Sequence, residues 1–259
     1  MRQNMLDLDD LFTLDKTVLT AHRGASFEYP ENTIPAFEAA VKAGTHFIEF
    51  DLYVSKDGVP VVLHDKTIDR TSNGSGRPED LTLAELKSFN YSYYHHGERH
   101  NEPMYEVCEI PTFEEVLQKF SGVVCMNIQL NGKPDDAGIK EICRLYNKYN
   151  MEKTGYLTIA WQDIFQATRD YAGDIEICFT PPMKERAKLE SLELCKKLNC
   201  RYVQPYCKNF CAETAVNISK LGLRDNIFYS DDPAEARSFI AMGAKGIMTN
   251  KIELLISEM

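Results

Sequence analysis

The 259-residue sequence has no apolar run long enough to cross a membrane, no stretch where basic residues concentrate, no Cys-x-x-Cys pair and no internal repeat. The first absence excludes a transmembrane helix, which needs about 20 consecutive apolar residues. The second argues against nucleic acid and against stable membrane insertion or an anionic membrane surface as partner. Only 29 Lys and Arg face 39 Asp and Glu, a formal charge of -10. An acidic chain that handles an anion must therefore do so with a local device, a metal ion or a few placed cations. The eight cysteines fit no familiar zinc spacing, even in the cluster Cys195, Cys200, Cys207 and Cys211. They are expected to be reduced, small apolar residues of a cytoplasmic protein. Residues 1–15 carry four Asp and no long apolar run, so neither a signal peptide nor an anchor is expected there. What is present is globular composition, 44% hydrophobic and 26% charged. The length suits one large domain, 1–259, such as an α/β barrel.

β-rich runs alternate with amphipathic helical patterns almost from end to end. The runs are Val18–Thr20, Phe47–Tyr53, Val59–His64, Val123–Leu130, Tyr156–Ala160, Ile175–Phe179, Tyr202–Gln204, Ile227–Ser230 and Gly246–Thr249. Helical periodicity is read over Thr33–Ala43, Glu114–Phe120, Ile139–Tyr149, Lys184–Leu198, Glu213–Leu221 and Ala234–Ala241. Such alternation implies a parallel sheet covered by helices. Nine runs are one too many for an eight-stranded barrel. Only five residues separate Tyr53 from Val59, too few for a parallel crossover, and Asp57-Gly58 is a turn signal. The third run is thus the return arm of a hairpin, which brings His64 to the level of Glu49 and Asp51. Eight βα units remain, and the expected fold is a (β/α)8 TIM barrel, with a doubly wound open sheet as the alternative. Residues from about 66 to 110 break the alternation, with one short helical piece at Leu83–Phe89. A connection of this length is expected to be a small inserted subdomain over the barrel mouth.

In Phe47–Tyr53, Ile48, Phe50 and Leu52 point one way, and Phe47, Glu49, Asp51 and Tyr53 the other. The fully apolar face belongs under the helices, so Glu49 and Asp51 point inwards, about 7 Å apart along the strand. Two buried like charges need something positive between them. A divalent cation, Mg²⁺ or Ca²⁺, suits carboxylate oxygens; a structural Lys or Arg is the alternative. The next barrel strand turns Cys125, Asn127, Gln129 and Asn131 inwards, a row natural for a polar site. His22-Arg23-Gly24 ends the first strand, at the rim where barrel enzymes keep their catalytic groups, and His64-Asp65 ends the hairpin return. Two histidines at one rim can serve as general base and general acid near neutral pH. Arg23 offers a guanidinium fork for phosphate or carboxylate oxygens.

Thr20-Ala21-His22-Arg23-Gly24, Tyr29-Pro30-Glu31-Asn32-Thr33, Ile48-Glu49-Phe50-Asp51 and Val61-Val62-Leu63-His64-Asp65 resemble, in order and spacing, the glycerophosphodiester phosphodiesterase family. The resemblance continues through Ile68-Asp69-Arg70-Thr71-Ser72-Asn73-Gly74 and Ile110-Pro111-Thr112-Phe113-Glu114-Glu115-Val116-Leu117, then thins to Asp232-Pro233 and Gly243–Thr249. It implies a metal-dependent barrel that cleaves small phosphodiesters to an alcohol and glycerol 3-phosphate. It implies His22 and His64 as the acid/base pair, Arg23 on the phosphate, and Glu49 and Asp51 on one divalent cation. Asn32 matches a residue on the phosphate side, and Glu31 one that orients its neighbours.

The departures are specific. The family's Glu-Leu-Lys after the third barrel strand is Gln129-Leu130-Asn131 here. Gln129 can coordinate only as a neutral third ligand, which lowers metal affinity. Asn131 meets substrate with a hydrogen bond and no charge. Ala160-Trp161 stands for Ser-Phe, Phe228 for a frequent Trp at the substrate, and Asn250 for an Asp. Two other readings follow from these departures and from the barrel. One is a diverged phosphate-ester binding protein with weak or no turnover; the other is a related phospholipase or lyase. The head group, the oligomeric state and the division of labour between the histidines are open at this level.

Overall fold

The computed structural model describes residues 7–259, so the first six residues of the amino-terminal reading lie outside the described residues. Strands β1 (Val18–His22), β2 (Phe47–Val54), β6 (Cys125–Leu130), β7 (Gly155–Ile159), β8 (Ile177–Phe179) and β11 (Gly246–Thr249) form one parallel curled sheet in the order β11-β1-β2-β6-β7-β8. β3 (Pro60–Val62) runs antiparallel to β2, pairing Leu52 with Val62 and Val54 with Pro60. The hairpin expected from the five-residue link is therefore present. β9 (Tyr202–Val203) pairs in parallel with β10 (Arg224–Asp225), and bridges Tyr206–Phe228 and Ile227–Ile247 carry this pair on to β11. β8 and β9 lie side by side, with no ladder between them among the described residues. With β3 set aside, eight strands occupy the eight barrel positions, and the fold is an α/β barrel.

Helices α2 (Ile34–Ala43), α4 (Phe113–Phe120), α5 (Asp136–Lys148), α6 (Gln162–Tyr171), α7 (Leu189–Lys197), α8 (Ala212–Lys220), α9 (Pro233–Ala241) and α10 (Ile252–Glu258) wrap the sheet. The outward face of β2 explains why. Ile48, Phe50 and Leu52 join Phe37 of α2 and Phe113 and Phe120 of α4 in one core, with Phe37 and Phe50 ring centroids 5.6 Å apart. The opposite face of β2 meets its neighbour in register, Phe47 with Cys125, Glu49 with Asn127 and Asp51 with Gln129. Along the barrel axis these residues form layers. At the amino-terminal end, Phe47, Cys125, Tyr156, Cys178 and Tyr202 are plugged by Leu8 and Leu11 of α1 (Leu8–Thr13), whose first turn is closed by a capping box between Asp7 and Asp10. Each plug leucine is 1% exposed, worth about 1.5–3 kcal/mol of apolar burial. A polar layer follows, in which Thr158 Oγ1 donates to Asn127 Oδ1 at 2.6 Å. Glu49 is level with Asn127, and Asp51 and Gln129 lie one step further along the strands.

Between β3 and α4 the chain makes an excursion with α3 (Leu83–Lys87) and a small hairpin of β4 (Tyr94–His95) and β5 (Glu98–Arg99). Its apolar residues Ile68, Leu86, Tyr91 and Ile110 pack on Tyr53, Val61 and Leu63, a core separate from that under the helices. Three expectations shift. The helical periodicity does not mark α1, α6 or α10. The Lys184–Leu198 periodicity is split, α7 covering only Leu189–Lys197 after a 3₁₀ turn at Met183–Glu185. β10 begins at Arg224, three residues ahead of the expected run, because its polar residues are buried with partners: Arg224 donates to the carbonyls of Phe12, Leu14 and Lys16, and Asp225 accepts from the N–H groups of Lys245 and Gly246. No helix among the described residues is long and apolar enough to cross a membrane.

Candidate active site

His22 ends β1, and parallel pairing sets its neighbours: it is level with Glu49 of β2, while the Ala21–Thr249 register brings Asn250 alongside. The chain then turns sharply. Arg23 and Gly24 both have left-handed backbones, φ 57° and 82°. Gly24 passes so close to α2 that a Cβ there would lie 2.7 Å from the carbonyl carbon of Ala36. The turn aims the Arg23 N–H at Glu49 Oε2 (3.0 Å) and its guanidinium at Glu31 Oε1 (3.0 Å), with Nε 3.4 Å from Asp51 Oδ2.

The two carboxylates of β2 are fully buried, and their surroundings differ. Both oxygens of Asp51 are met by amides, Asn32 Nδ2 on Oδ2 at 3.0 Å and Gln129 Nε2 on Oδ1 at 3.1 Å. Among the described residues Glu49 is met on Oε2, by Arg23 N–H and, at 3.9 Å, by His22 Nε2. Burial and then the charge of Asp51 push the Glu49 carboxyl well above the usual carboxylate range. Glu31 goes the other way: burial would raise it, but Arg23 and Arg70 outweigh that effect and hold it at about 2.

The two histidines face one open cavity of about 590 Å³, lined also by Arg23, Phe27, Arg70, Tyr94, Phe228, Tyr229 and Lys251. His22 is buried, its ring stacked on Tyr229 (centroids 5.6 Å, 18° between planes) and edge-on to Phe228 at 5.3 Å. Its Nδ1 lies 2.7 Å from Asn250 Oδ1. Burial, aided by the charge of Arg23, pulls its pKa down to about 3, so the ring is neutral around pH 7. His64 is half-buried, and its Nδ1 meets a carboxylate, Asp65 Oδ1, at 2.7 Å. The hydrogen bond from His64, with Arg70 added, holds Asp65 well below the usual carboxylate range.

The arrangement thus gathers His22, Arg23, His64 and Phe228 at the cavity, with Asn32, Glu49, Asp51 and Gln129 joined to them through Arg23 and Asp51. Asn131 is placed differently: its Nδ2 donates to the backbone carbonyl of His64, so it holds the end of the hairpin return, and it does not line the cavity. Sequence reasoning gave Arg70 no role. Its guanidinium forks onto Glu31 (2.6 and 2.8 Å) and Asp65 (2.6 Å) and lies 4.3 Å over the Tyr94 ring. Only the presence of a basic residue inside a recognised motif pointed to it. Lys251, 4.3 Å over the Phe27 ring, and Tyr229 carried no signal at all.

Among the described residues no group of three or more His, Cys, Asp and Glu side chains is arranged to hold a metal ion. Two buried carboxylates remain; among the described residues the contacts to Glu49 fall on Oε2, and the amides of Asn32 and Gln129 meet Asp51. This donor set fits a hard cation that also takes oxygens from water and a phosphate, as Mg²⁺ commonly does.

Comparison with known proteins follows the same residues. The model of the glycerophosphoryl diester phosphodiesterase family matches residues 22–254. YhdW and a glycerophosphodiester phosphodiesterase, both of Bacillus subtilis (strain 168), are 42% identical over 123 and 117 residues, 48% and 43% of this chain. Those matches span only 48% and 39% of the two relatives' own lengths. A glycerophosphodiester phosphodiesterase of Caldanaerobacter subterraneus is 29% identical over 249 residues, 93% of this chain and 97% of its own. An Oleispira antarctica phosphodiesterase, solved in complex with the product sn-glycerol-3-phosphate, shares the fold with a TM-score of 0.80 at 21% identity, over 94% of this chain and 96% of its own. The family model takes in nearly the whole barrel, from the histidine that ends β1 to α10, and the chain belongs to the glycerophosphoryl diester phosphodiesterase family.

Proposed function

We propose that this protein hydrolyses a glycerophosphodiester to an alcohol and glycerol 3-phosphate, with His22 and His64 as base and acid and one divalent cation at Glu49 and Asp51. The observation that carries the reading is the meeting of two histidines and Arg23 at one cavity above two buried carboxylates. The product held by the Oleispira neighbour supports the same product class.

Glu49 and Asp51 would hold Mg²⁺ or Ca²⁺, with Gln129 as a neutral third ligand once its amide turns its oxygen inwards. The cation, when bound, supplies charge stabilisation for the phosphoryl oxygens. Arg23 orients the phosphate and is itself held by Glu31. His22 Nε2, unprotonated, takes the proton of the attacking hydroxyl, either water or the neighbouring hydroxyl of the glycerol. The new P–O bond forms as the bond to the alcohol breaks, and His64 gives that alcohol its proton. Asp65, bonded to His64 Nδ1, orients the ring for that transfer. Attack by the glycerol hydroxyl would give a cyclic phosphate, opened by water in a second step.

The test is glycerol 3-phosphate release from glycerophosphocholine, glycerophosphoethanolamine and glycerophosphoglycerol, with Mg²⁺, with Ca²⁺ and with chelator. Turnover is expected with metal and is lost with chelator. His22→Ala and His64→Ala should each lower kcat by about 10²–10⁴. No release from any of the three with either metal overturns the reading. Binding of glycerol 3-phosphate without turnover would favour the phosphate-ester binding protein that Gln129 and Asn131 suggest.

A further inference from the structure

We infer that Asp231 and Asn250 act together as positioning residues that fix the tautomer of His22. The inference rests on the reading of His22 as the catalytic base. Where the family resemblance leads one to expect a carboxylate, this chain has the amide of Asn250, and an amide alone is ambiguous. Its oxygen and nitrogen are nearly isosteric, so either could face the imidazole. With oxygen toward the ring, Nδ1 carries the hydrogen and Nε2 keeps its lone pair. With nitrogen toward the ring, the lone pair moves to Nδ1 and Nε2 can no longer accept a proton.

The geometry removes the ambiguity. Asn250 Nδ2 lies 2.8 Å from Asp231 Oδ2, and a carboxylate offers no donor, so the NH₂ end must face Asp231. Asp231 is itself fixed, its Oδ1 accepting from the Asn250 backbone N–H at 2.7 Å and from Thr249 Oγ1 at 2.9 Å. That leaves Asn250 Oδ1 for His22 Nδ1 at 2.7 Å, with Ser26 Oγ also donating to it at 3.2 Å. Stacking on Tyr229 and the edge of Phe228 hold the ring plane. The orienting carboxylate thus lies one amide away from the histidine, on the loop after β10. His22 receives orientation from it without a formal charge at Nδ1. His64, with Asp65 bonded directly to its Nδ1, has the opposite arrangement.

The experiment combines ¹⁵N NMR of the imidazole rings, with His22→Gln identifying the His22 signals, and steady-state kinetics on a glycerophosphodiester in Mg²⁺. The variants are Asp231→Asn, Asn250→Leu and the exchange Asp231→Asn/Asn250→Asp. Wild type should show His22 as the Nδ1–H tautomer. Asp231→Asn frees the amide to turn, so the Nε2–H form should appear and kcat fall at least tenfold, with KM within twofold. The exchange puts a carboxylate directly on Nδ1 and should restore the Nδ1–H form and most of kcat. A ring unchanged by Asp231→Asn, or an exchange variant no better than Asp231→Asn alone, overturns the inference. If Asp231→Asn does not fold, Asn250→Leu decides: retention of a pure Nδ1–H tautomer without the amide overturns the inference, and a mixed population supports it. If wild type releases no glycerol 3-phosphate, the proposed function fails, and the NMR result still decides the tautomer.

Discussion

Glu31→Gln isolates the electrostatic joint that holds the site together. Glu31 is 5% exposed and accepts from Arg23 on one side and doubly from Arg70 on the other. These cations hold its pKa at about 2, against 4.5 for a free glutamate. At about 1.4 kcal/mol per pKa unit, that difference amounts to about 3 kcal/mol. The folded-state pKa is depressed, so the stabilisation is complete above about pH 4.5 and is lost as pH falls towards 2. Glutamine keeps the shape and removes the charge, while Asp51 and Asp65 still pair with the two arginines. Urea unfolding followed by far-UV circular dichroism should show the variant about 3 kcal/mol less stable at pH 7. In a chain of this length that corresponds to roughly 6–12 °C in Tm. At pH 3 the gap should shrink to less than half, because wild type has then lost most of the same contribution. Other acidic groups titrate in both proteins and cancel in the difference. A gap below about 1 kcal/mol at pH 7, or one of equal size at pH 3, would refute the reasoning.

Two further outcomes bear on the metal and on the turn after β1. Gln129→Glu adds a third carboxylate beside Glu49 and Asp51 and removes an N–H from Asp51, so it should lower Tm without metal, and Mg²⁺ should raise Tm more than in wild type. Calorimetric titration should show at least tenfold tighter Mg²⁺, and unchanged affinity would take position 129 out of the metal site. Gly24→Ala must accept φ 82° and a Cβ 2.8 Å from that of Ala36, so urea unfolding should show a loss of about 2–4 kcal/mol; a loss below about 0.5 kcal/mol would mean the turn can relax.

The fold was legible where physical constraints leave one choice. In β2, alternation forces Ile48, Phe50 and Leu52 under α2 and α4, and Glu49 and Asp51 then have nowhere to go but the barrel interior. The short link before Val59 excludes a crossover, so the hairpin and the height of His64 followed. Legibility failed where the partner of a residue lies far along the chain. Arg224 and Asp225 read as polar loop because their acceptors and donors, the carbonyls of α1 and its exit and the N–H groups of Lys245 and Gly246, are set only by closure of the barrel. α6 is hard to read in the sequence because Thr168 sits on a narrow apolar face with Ile164 and Phe165, its hydroxyl satisfied by the carbonyl of Ile164. The hairpin at Tyr94–Arg99 turns through His96 and Gly97, φ 54° and 79°. A histidine is an uncommon choice for the first left-handed position, so no Asn-Gly or Asp-Gly signal marked it.

The same distinction separates the parts of the site. Residue type and strand position suffice to put two carboxylates and two histidines at one rim, because those follow from periodicity and from where barrels keep their sites. They do not suffice to say what an amide does there. Asn32, Gln129, Asn131 and Asn250 are chemically alike, and three dimensions give them different tasks. Asn32 and Gln129 satisfy Asp51, Asn131 ties down the strand end that carries His64, and Asn250 connects His22 to Asp231. An amide takes its donor and acceptor ends from whatever faces it, so its role is a property of the neighbourhood. A carboxylate accepts whatever its neighbours and declares itself in the sequence. In a site where amides stand at four such positions, the information that assigns roles lies in geometry more than in residue identity. The chemistry of such a site is therefore tested by paired exchanges, such as Asp231 with Asn250, that move a donor and an acceptor together.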